Sequence, residues 1–315
     1  MNLCGCHAPK DEQQHFFAMD TVMTLRLIDA SPEDFKACQE KVKELEQKFS
    51  VTLPESEISA LNRAGSATLS ADGAAVVEAG LTVSEQTEGA FCLSLYPAGR
   101  LWGFSGEEMR VPSAQELEAV RPLIGDEAIT LSEKEITLPK GGAIDLGGIA
   151  KGYTADLLDL LLEERQVEHF FLSLGGNVQV GGGNPDGSPW RVGIADPDGG
   201  EAVGVLEIAD GAVVTSGGYQ RNFEQDGTLY HHILDPETLA PAKSGLKSAT
   251  AVGLSGTLAD ALSTAFFVMG EERALDYCAR YDAECILITE DDRVVVSPGL
   301  KEQFTLLNPQ YRYEK

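Results

Sequence analysis

Between Phe170 and Leu234 the chain is a succession of short apolar runs separated by glycine turns, and this pattern limits the possible folds more than any other feature. The runs are Phe170 to Leu174, Asn177 to Val180, Trp190 to Ala195, Val203 to Ile208, Ala212 to Thr215 and Leu229 to Leu234. Gly175-Gly176, Gly181 to Gly183, Asp186-Gly187, Gly199-Gly200 and Asp226-Gly227 fall at the joins. Glycine reaches the positive φ that tight hairpins need, so runs punctuated in this way predict antiparallel strands. The middle of the chain is therefore expected to be a meander.

Helices are expected around it. Phe35, Cys38, Val42, Leu45 and Phe49 recur at three- and four-residue spacing with Lys and Glu between them. Ala71 to Thr87 reads as a small-residue helix, and Ser113 with Glu116 as a capping box ahead of Leu117, Val120 and Ile124. Leu258 to Met269 and Glu271 to Tyr281 read as two helices parted by Gly270. Asp20 to Ile28 alternates Met23, Leu25 and Leu27 with outward residues, as a strand with one buried face does. Cys285 to Thr289 and Val294 to Val296 predict a terminal hairpin. The expected class is α+β: a largely antiparallel or mixed sheet flanked by helices, in one domain over residues 16–315, behind a flexible polar segment of residues 1–15.

Charge narrows the partners. Fifty Asp+Glu against 24 Lys+Arg leave a formal charge of −26, which repels nucleic acid over most of the surface. No apolar run is long enough to span a membrane, and Met1 to Lys10 lacks the apolar core of a signal peptide. The chain as written is expected to be cytoplasmic. Leu3-Cys4-Gly5-Cys6 resembles the end of a lipoprotein cleavage site, so a leader missing upstream would instead make Cys6 an extracytoplasmic membrane anchor. None of the six cysteines has zinc or thioredoxin spacing, and free thiols are expected.

Four segments carry candidate chemistry. In Gly141 to Glu164, a short strand at Ala143-Ile144 is expected to carry Asp145 into a Gly147-Gly148 turn that opens a helix with Ile149, Tyr153, Leu157 and Leu161 on one face. Backbone N–H groups at that helix start, with Lys151 in its first turn, would attract an anion such as phosphate. A plain tight turn with an exposed lysine explains the same residues. In Thr257 to Thr264, Asp260 and Thr264 share a helix face beside Ser263 and offer the oxygen ligands that Mg2+ accepts. The other reading makes Thr257 an N-cap with Asp260 as its partner, and lets Thr264 bond back to a carbonyl. In Tyr230 to Pro236, one of His231 and His232 is a candidate general base, unless both decorate a solvent-facing hairpin. In Val213 to Tyr219, a strand ending in Thr215-Ser216-Gly217-Gly218 brings backbone close to whatever lies above, with Tyr219 nearby for stacking on an adenine or flavin ring, unless Thr-Ser-Gly-Gly is an ordinary turn that holds nothing.

Taken in order, Asp145 to Tyr153, Leu174 to Asn177, Trp190 to Ile194, Thr215 to Tyr219, His232 to Pro236 and Ala259 to Thr264 resemble the ApbE family, the FAD:protein FMN transferases. Met19-Asp20-Thr21, Ser56-Glu57-Ile58 with Asn62, and Leu101 to Phe104 extend the resemblance. It implies Mg2+-dependent cleavage of FAD, with FMN passed to a Thr or Ser hydroxyl of an acceptor protein and AMP released. By matching position it implies Asp260, Thr264 and the backbone carbonyl of Ala150 as metal ligands, Lys151 facing the diphosphate, and His232 as base. Met19, Asp145, Gly176, Asn177, Ser216 and Gly217 would line the FAD. An FAD diphosphatase using water, or an FAD-binding protein that turns nothing over, are the alternative functions. Three departures stand out. Asp20 and Leu239 replace a usual glycine, so the turn at Leu239 is expected to be built in another way, and Cys92 replaces a usual aspartate.

Overall fold

In the computed structural model, which describes residues 9–106 and 108–313, the chain opens with a hairpin of β1 (Asp11–Ala18) and β2 (Thr21–Ile28). Residues 11–15, expected to be loose, therefore lie in a strand. Their polar side chains suit an edge strand, whose outer face meets water, and β2 supplies their backbone partners from a buried row of Met23, Leu25 and Leu27. The Cys4 and Cys6 reading falls outside the described residues.

Helix α1 (Pro32–Phe49) buries the expected Phe35, Cys38, Val42, Leu45 and Phe49, and α2 (Glu57–Ala64) follows. Then come β3 (Ser66–Thr68), α3 (Ala71–Gln86), α4 (Tyr96–Trp102) and α5 (Ala114–Val120), the last with the Ser113–Glu116 capping box. Strands β4 (Thr130–Ser132) and β5 (Glu135–Thr137) make a small sheet with β3, and α6 (Ala150–Glu164) follows. The central strands are β6 (Phe170–Leu174), β7 (Asn177–Gly181), β8 (Trp190–Ile194), β9 (Gly204–Ile208) and β10 (Gly211–Gly217). Two short hairpins, β11 (Asn222–Gln225) with β12 (Thr228–His231) and β13 (Leu234–Asp235) with β14 (Ala240–Pro241), lead to β15 (Leu246–Gly253). Helix α7 (Gly256–Tyr281), β16 (Glu284–Thr289), β17 (Arg293–Val296), β18 (Phe304–Leu306) and β19 (Arg312–Tyr313) complete the described chain.

The fold is α+β, built on a nine-stranded sheet in the order β1-β2-β6-β7-β10-β15-β16-β17-β19. All neighbours are antiparallel except β17 and β19. The run of central strands is not one meander. β8 and β9 leave the main sheet and join β18 in a sheet of their own. The period-two alternation explains why both layers close. Val213, Ile286 and Ile288 pack with Trp190, Val192 and Ile194 of the small sheet, while Val214, Cys285 and Leu287 face the opposite core with Phe266 of α7.

Two further local differences, at Ala143-Ile144 and Leu239, bear on the site. Ala143-Ile144 is not a strand, because its hydrogen bonds go to a side chain. Asn62 Nδ2 donates to Ile144 O and Ile144 N donates to Asn62 Oδ1, each at 2.8 Å. The two expected C-terminal helices are both present within α7, parted as expected at Gly270, whose φ of 76° and ψ of 178° are not helical. Leu239 does not avoid the left-handed turn it inherits. It adopts φ 59°, with its side chain fully buried beside Trp102 and its carbonyl accepting from Trp102 Nε1 at 2.8 Å. Left-handed backbone costs a residue with a Cβ about 1–2 kcal/mol. Burying a leucine returns about 1.5–3 kcal/mol, so the turn holds. Asp20 takes the same conformation at φ 58°, which aspartate tolerates better than most residues.

Candidate active site

The site begins where α6 meets α7. Gly147 N donates to Asp145 Oδ1 at 2.8 Å, folding residues 145–147 into a tight turn, and Ile149 N and Ala150 N both reach back to Leu146 O. The face that α6 buries is rotated from the expected one. Thr154, Ala155, Leu158 and Leu162 are buried, while Tyr153, Leu157 and Leu161 are only partly so. The cause is the small residue Gly152, which lets α7 come against that side. A Cβ on Gly152 would collide with Gly256 O and lie 2.7 Å from Asp260 Cβ. Gly152→Ala is therefore expected to force the helices apart and destabilise the fold by about 1–3 kcal/mol. Chemical denaturation measures this, and a variant as stable as the parent would show that the helices are not in contact as described.

That approach removes the cap reading of Asp260. Ser255, not Thr257, is the N-cap of α7, and Asp260 does not reach back to it. The Asp260 carboxylate is buried and turns across to α6, accepting from Gly152 N at Oδ2 (2.9 Å) and lying 4.0 Å from Lys151 Nζ at Oδ1. Lys151 Nζ also donates to Gly147 O at 3.2 Å. Ser263 rather than Thr264 bonds back along the helix, to Asp260 O at 2.8 Å. Thr264 Oγ1 instead sits 3.2 Å from Ser216 Oγ of β10, which is 2.8 Å from Ser263 Oγ. The Ala150 carbonyl accepts from Thr154 Oγ1 at 2.7 Å. The start of α6 is a less open anion hole than expected, since carboxylates of this chain already take the N–H groups of Gly147 and Gly152.

The other residues predicted to line the FAD lie on β7, on β10 and in the turns at residues 19–20 and 175–176. Gly217 follows Ser216 on β10, and a Cβ there would run into the Tyr219 ring, so the close approach requires glycine. Met19, at φ 48°, donates its N–H to Glu46 Oε1 at 2.6 Å, and its sulfur lies 3.8 Å from Thr154 Oγ1 of α6. Gly176, at φ 94°, has open space on its Cβ side, while its neighbour Gly175 packs against Thr21 of the β1–β2 hairpin. Asn177 is buried, and among the described residues its Nδ2 has no hydrogen-bond partner.

The two histidines part company. His231 stacks edge-on to Phe267 at 5.3 Å, with Nε2 near Ala242 O, whereas His232 lies between β12 and β13, outside any strand. His232 N and Nδ1 both face Arg221 O, at 3.0 and 3.2 Å. A carbonyl only accepts, so Nδ1 carries the proton and Nε2 is left as the acceptor. Burial, helped by the charge of Arg221 and more weakly by Lys151, lowers the His232 pKa to about 4. Burial raises the pKa of Asp145, against the Gly147 N–H and the charges of Arg221 and Lys151. Arg221 thus belongs to the same electrostatic cluster, its Nη1 anchored on Phe104 O at 3.2 Å. The motifs in the sequence do not include it, although it lies only two residues beyond the Val213 to Tyr219 segment.

A profile of the ApbE family matches residues 19–287. The chain belongs to the ApbE family. A Vibrio cholerae protein named FAD:protein FMN transferase is 33% identical over 307 residues, covering 92% of this chain and 91% of that protein. A Treponema pallidum protein of the same name is 32% identical, covering 86% and 81%. Among solved structures, the ApbE protein of Thermotoga maritima superposes with a TM-score of 0.87 at 31% identity, over 93% of this chain and 99% of that one.

At Cys92, where the resemblance leads to the expectation of an aspartate, the structure shows what stands beside the thiol. Asp126 accepts from Leu93 N at 2.8 Å, from Ser94 N at 2.9 Å and from the Cys92 thiol at 3.3 Å. Burial and the Asp126 charge push the Cys92 thiol up to about 12, so it stays protonated. A carboxylate from residue 126 thereby ties down the loop that follows Phe91. A cavity of about 620 Å³ opens there, lined by Leu81, Cys92, Asp126, Asp235 and Arg273 among others, and none of the predicted site residues borders it.

Proposed function

We propose that this ApbE-family chain is an enzyme that transfers FMN from FAD to a Thr or Ser hydroxyl of an acceptor protein, releasing AMP in a Mg2+-dependent reaction. The observation that carries the reading is that Lys151 and the start of α6 face the buried carboxylate of Asp260, that Ser216 and Thr264 pair their hydroxyls one helical turn further along α7, and that Lys151 and Arg221 both act on Asp145 at the turn that opens α6. A protein of net charge −26 repels a diphosphate everywhere except where such positive features gather.

The residues fit Mg2+. Asp260 Oδ1, the Thr264 hydroxyl and the Ala150 carbonyl are all hard oxygen donors, and among the described residues Asp260 Oδ1 accepts no hydrogen bond. Bound Mg2+ supplies neutralisation of charge on the phosphoryl oxygens. The rest falls to the chain itself. Lys151 and Arg221 hold the diphosphate. Asn177 offers its unpartnered Nδ2 to an acceptor atom of FAD, and Met19, Gly176, Ser216, Gly217 and the Asp145 turn form the remaining walls. His232 is neutral and has its Nδ1–H committed to Arg221 O, so Nε2 takes the proton of the acceptor hydroxyl. The hydroxyl oxygen attacks the phosphorus on the FMN side, the phosphoanhydride P–O bond breaks, and AMP leaves with the electron pair.

The test adds the purified protein, FAD and Mg2+ to a cell extract that lacks this enzyme, followed by a denaturing gel. Flavin fluorescence that stays with a protein band, and is absent with EDTA, is the expected result. Conversion of FAD to FMN and AMP with no labelled band would make the chain a diphosphatase. An unchanged FAD pool would make it a flavin-binding protein.

A further inference from the structure

Helices α6 and α7 are tied at two points, and only one of them involves a residue assigned above. The first is Gly152 N to Asp260 Oδ2 at 2.9 Å. The second lies one turn further along α6, where the Asp156 carboxylate accepts four hydrogen bonds from the start of α7. They come from Gly256 N at 2.6 Å, Thr257 N at 2.9 Å, Thr257 Oγ1 at 2.6 Å and Ser255 Oγ at 3.0 Å. Gly152 and Asp156 are four apart on α6, as Gly256 and Asp260 are on α7, so each pair sits one turn apart on one helix face. The backbones are close at this point. A Cβ on Gly256 would lie 2.8 Å from Gly152 O and 3.1 Å from Asp156 Oδ1.

The first N–H groups of a helix have no partners within it. In α7 the Ser255 side chain serves only Leu258 N, at 3.3 Å, and Ala259 N makes the first turn-closing bond to Ser255 O at 3.0 Å. The amides of Gly256 and Thr257 are satisfied from another helix, by Asp156. An anionic acceptor there also meets the positive end of the α7 dipole. The first turn of α7 is therefore fixed in height and rotation relative to α6. Asp260 follows one turn later, and Thr264 a further turn on.

We propose that Asp156 is a positioning residue for flavin transfer: from α6 it clamps the first turn of α7 in the register at which Asp260 and Thr264 face Lys151 and Ser216. This rests on the metal reading of Asp260 and Thr264 given above. A slip of α7 would break the Gly152–Asp260 bond and the Ser216 contacts to Ser263 and Thr264 together. Asp156 touches neither the reacting atoms nor the proposed ligands, so its effect runs through α7 alone.

The test uses Asp156→Asn, which keeps the shape but turns an NH2 toward α7 donors, and Asp156→Ala, which removes both acceptors. Such supporting partners typically change metal affinity by about tenfold to a hundredfold, and the half-saturating Mg2+ concentration for transfer is expected to rise by that amount in Asp156→Ala. Without metal, hydrogen exchange across residues 256–264 is expected to quicken in both variants while the strands of the main sheet keep parental protection. If Asp156→Ala does not fold, Asp156→Asn carries both measurements. A lower melting temperature with parental exchange at 256–264 and parental Mg2+ dependence would reduce Asp156 to a stability residue and overturn the proposal. If the parent shows no Mg2+ dependence, the metal reading fails, and the exchange measurement still decides the clamp.

Discussion

Asp260→Asn is expected to lose flavin transfer by about a hundredfold to a thousandfold or more while remaining folded, a loss comparable to removing one preorganised electrostatic group from an active site. The choice of asparagine matters. Asp260 is buried, and its Oδ2 is the acceptor for Gly152 N. Alanine would leave that amide unsatisfied at a cost of about 1–3 kcal/mol, confusing chemistry with stability. Asparagine keeps an oxygen for Gly152 and removes the charge that faces Lys151 and, on the proposed function, the metal. Initial rates of FMN transfer and a calorimetric Mg2+ titration measure the effect, with denaturant unfolding as the control. Transfer at the parental rate would take Asp260 out of the metal site.

Much of this arrangement was legible in the residues, and the failures have physical causes. Periodicity located α1, β2 and the central strands because each buries one continuous face, as Met23, Leu25 and Leu27 do. It missed β1, where an edge strand exposes polar side chains and its pairing is made by backbone. It placed a strand at Ala143-Ile144 because an apolar pair reads alike whether its hydrogen bonds go to a sheet or to Asn62. The rotated face of α6 escaped because a glycine contributes nothing to an apolar stripe, yet Gly152 decides which side α7 can approach. Asp156 escaped because its meaning lies in partners about a hundred positions away. The candidate ligands were picked out by the order of motifs shared with a family. The geometry removes two competing local roles: Asp260 is not a cap partner, and Ser263, not Thr264, returns to the helix backbone.

The pH dependence should carry the signature of His232. In the folded protein its pKa is lowered to about 4, chiefly by burial, against about 6.5 for a free histidine. Between those values the unfolded chain binds more protons than the folded one, so stability rises with pH across that window. The contribution of His232 is fully present above about pH 6.5 and is lost as pH falls toward 4, and His232→Gln should remove that slope. For transfer, kcat/KM reports the free enzyme, and its acid limb attributable to His232 is expected at about pH 4. The limb in kcat should lie higher. On the proposed function, bound FAD would place negative charge against Arg221 and Lys151, the two cations that add to burial in lowering this pKa, and offset them. That shift also makes His232 a stronger proton acceptor when substrate is present than when the site is empty. His232→Gln should reduce kcat by about a hundredfold to ten-thousandfold, the range for a positioned general base. Coincident limbs in the two profiles, or a glutamine variant that keeps the parental limb, would assign the proton to another group. Separated limbs that vanish together in the variant would tie the proton to Nε2, the one ring nitrogen that Arg221 O leaves free.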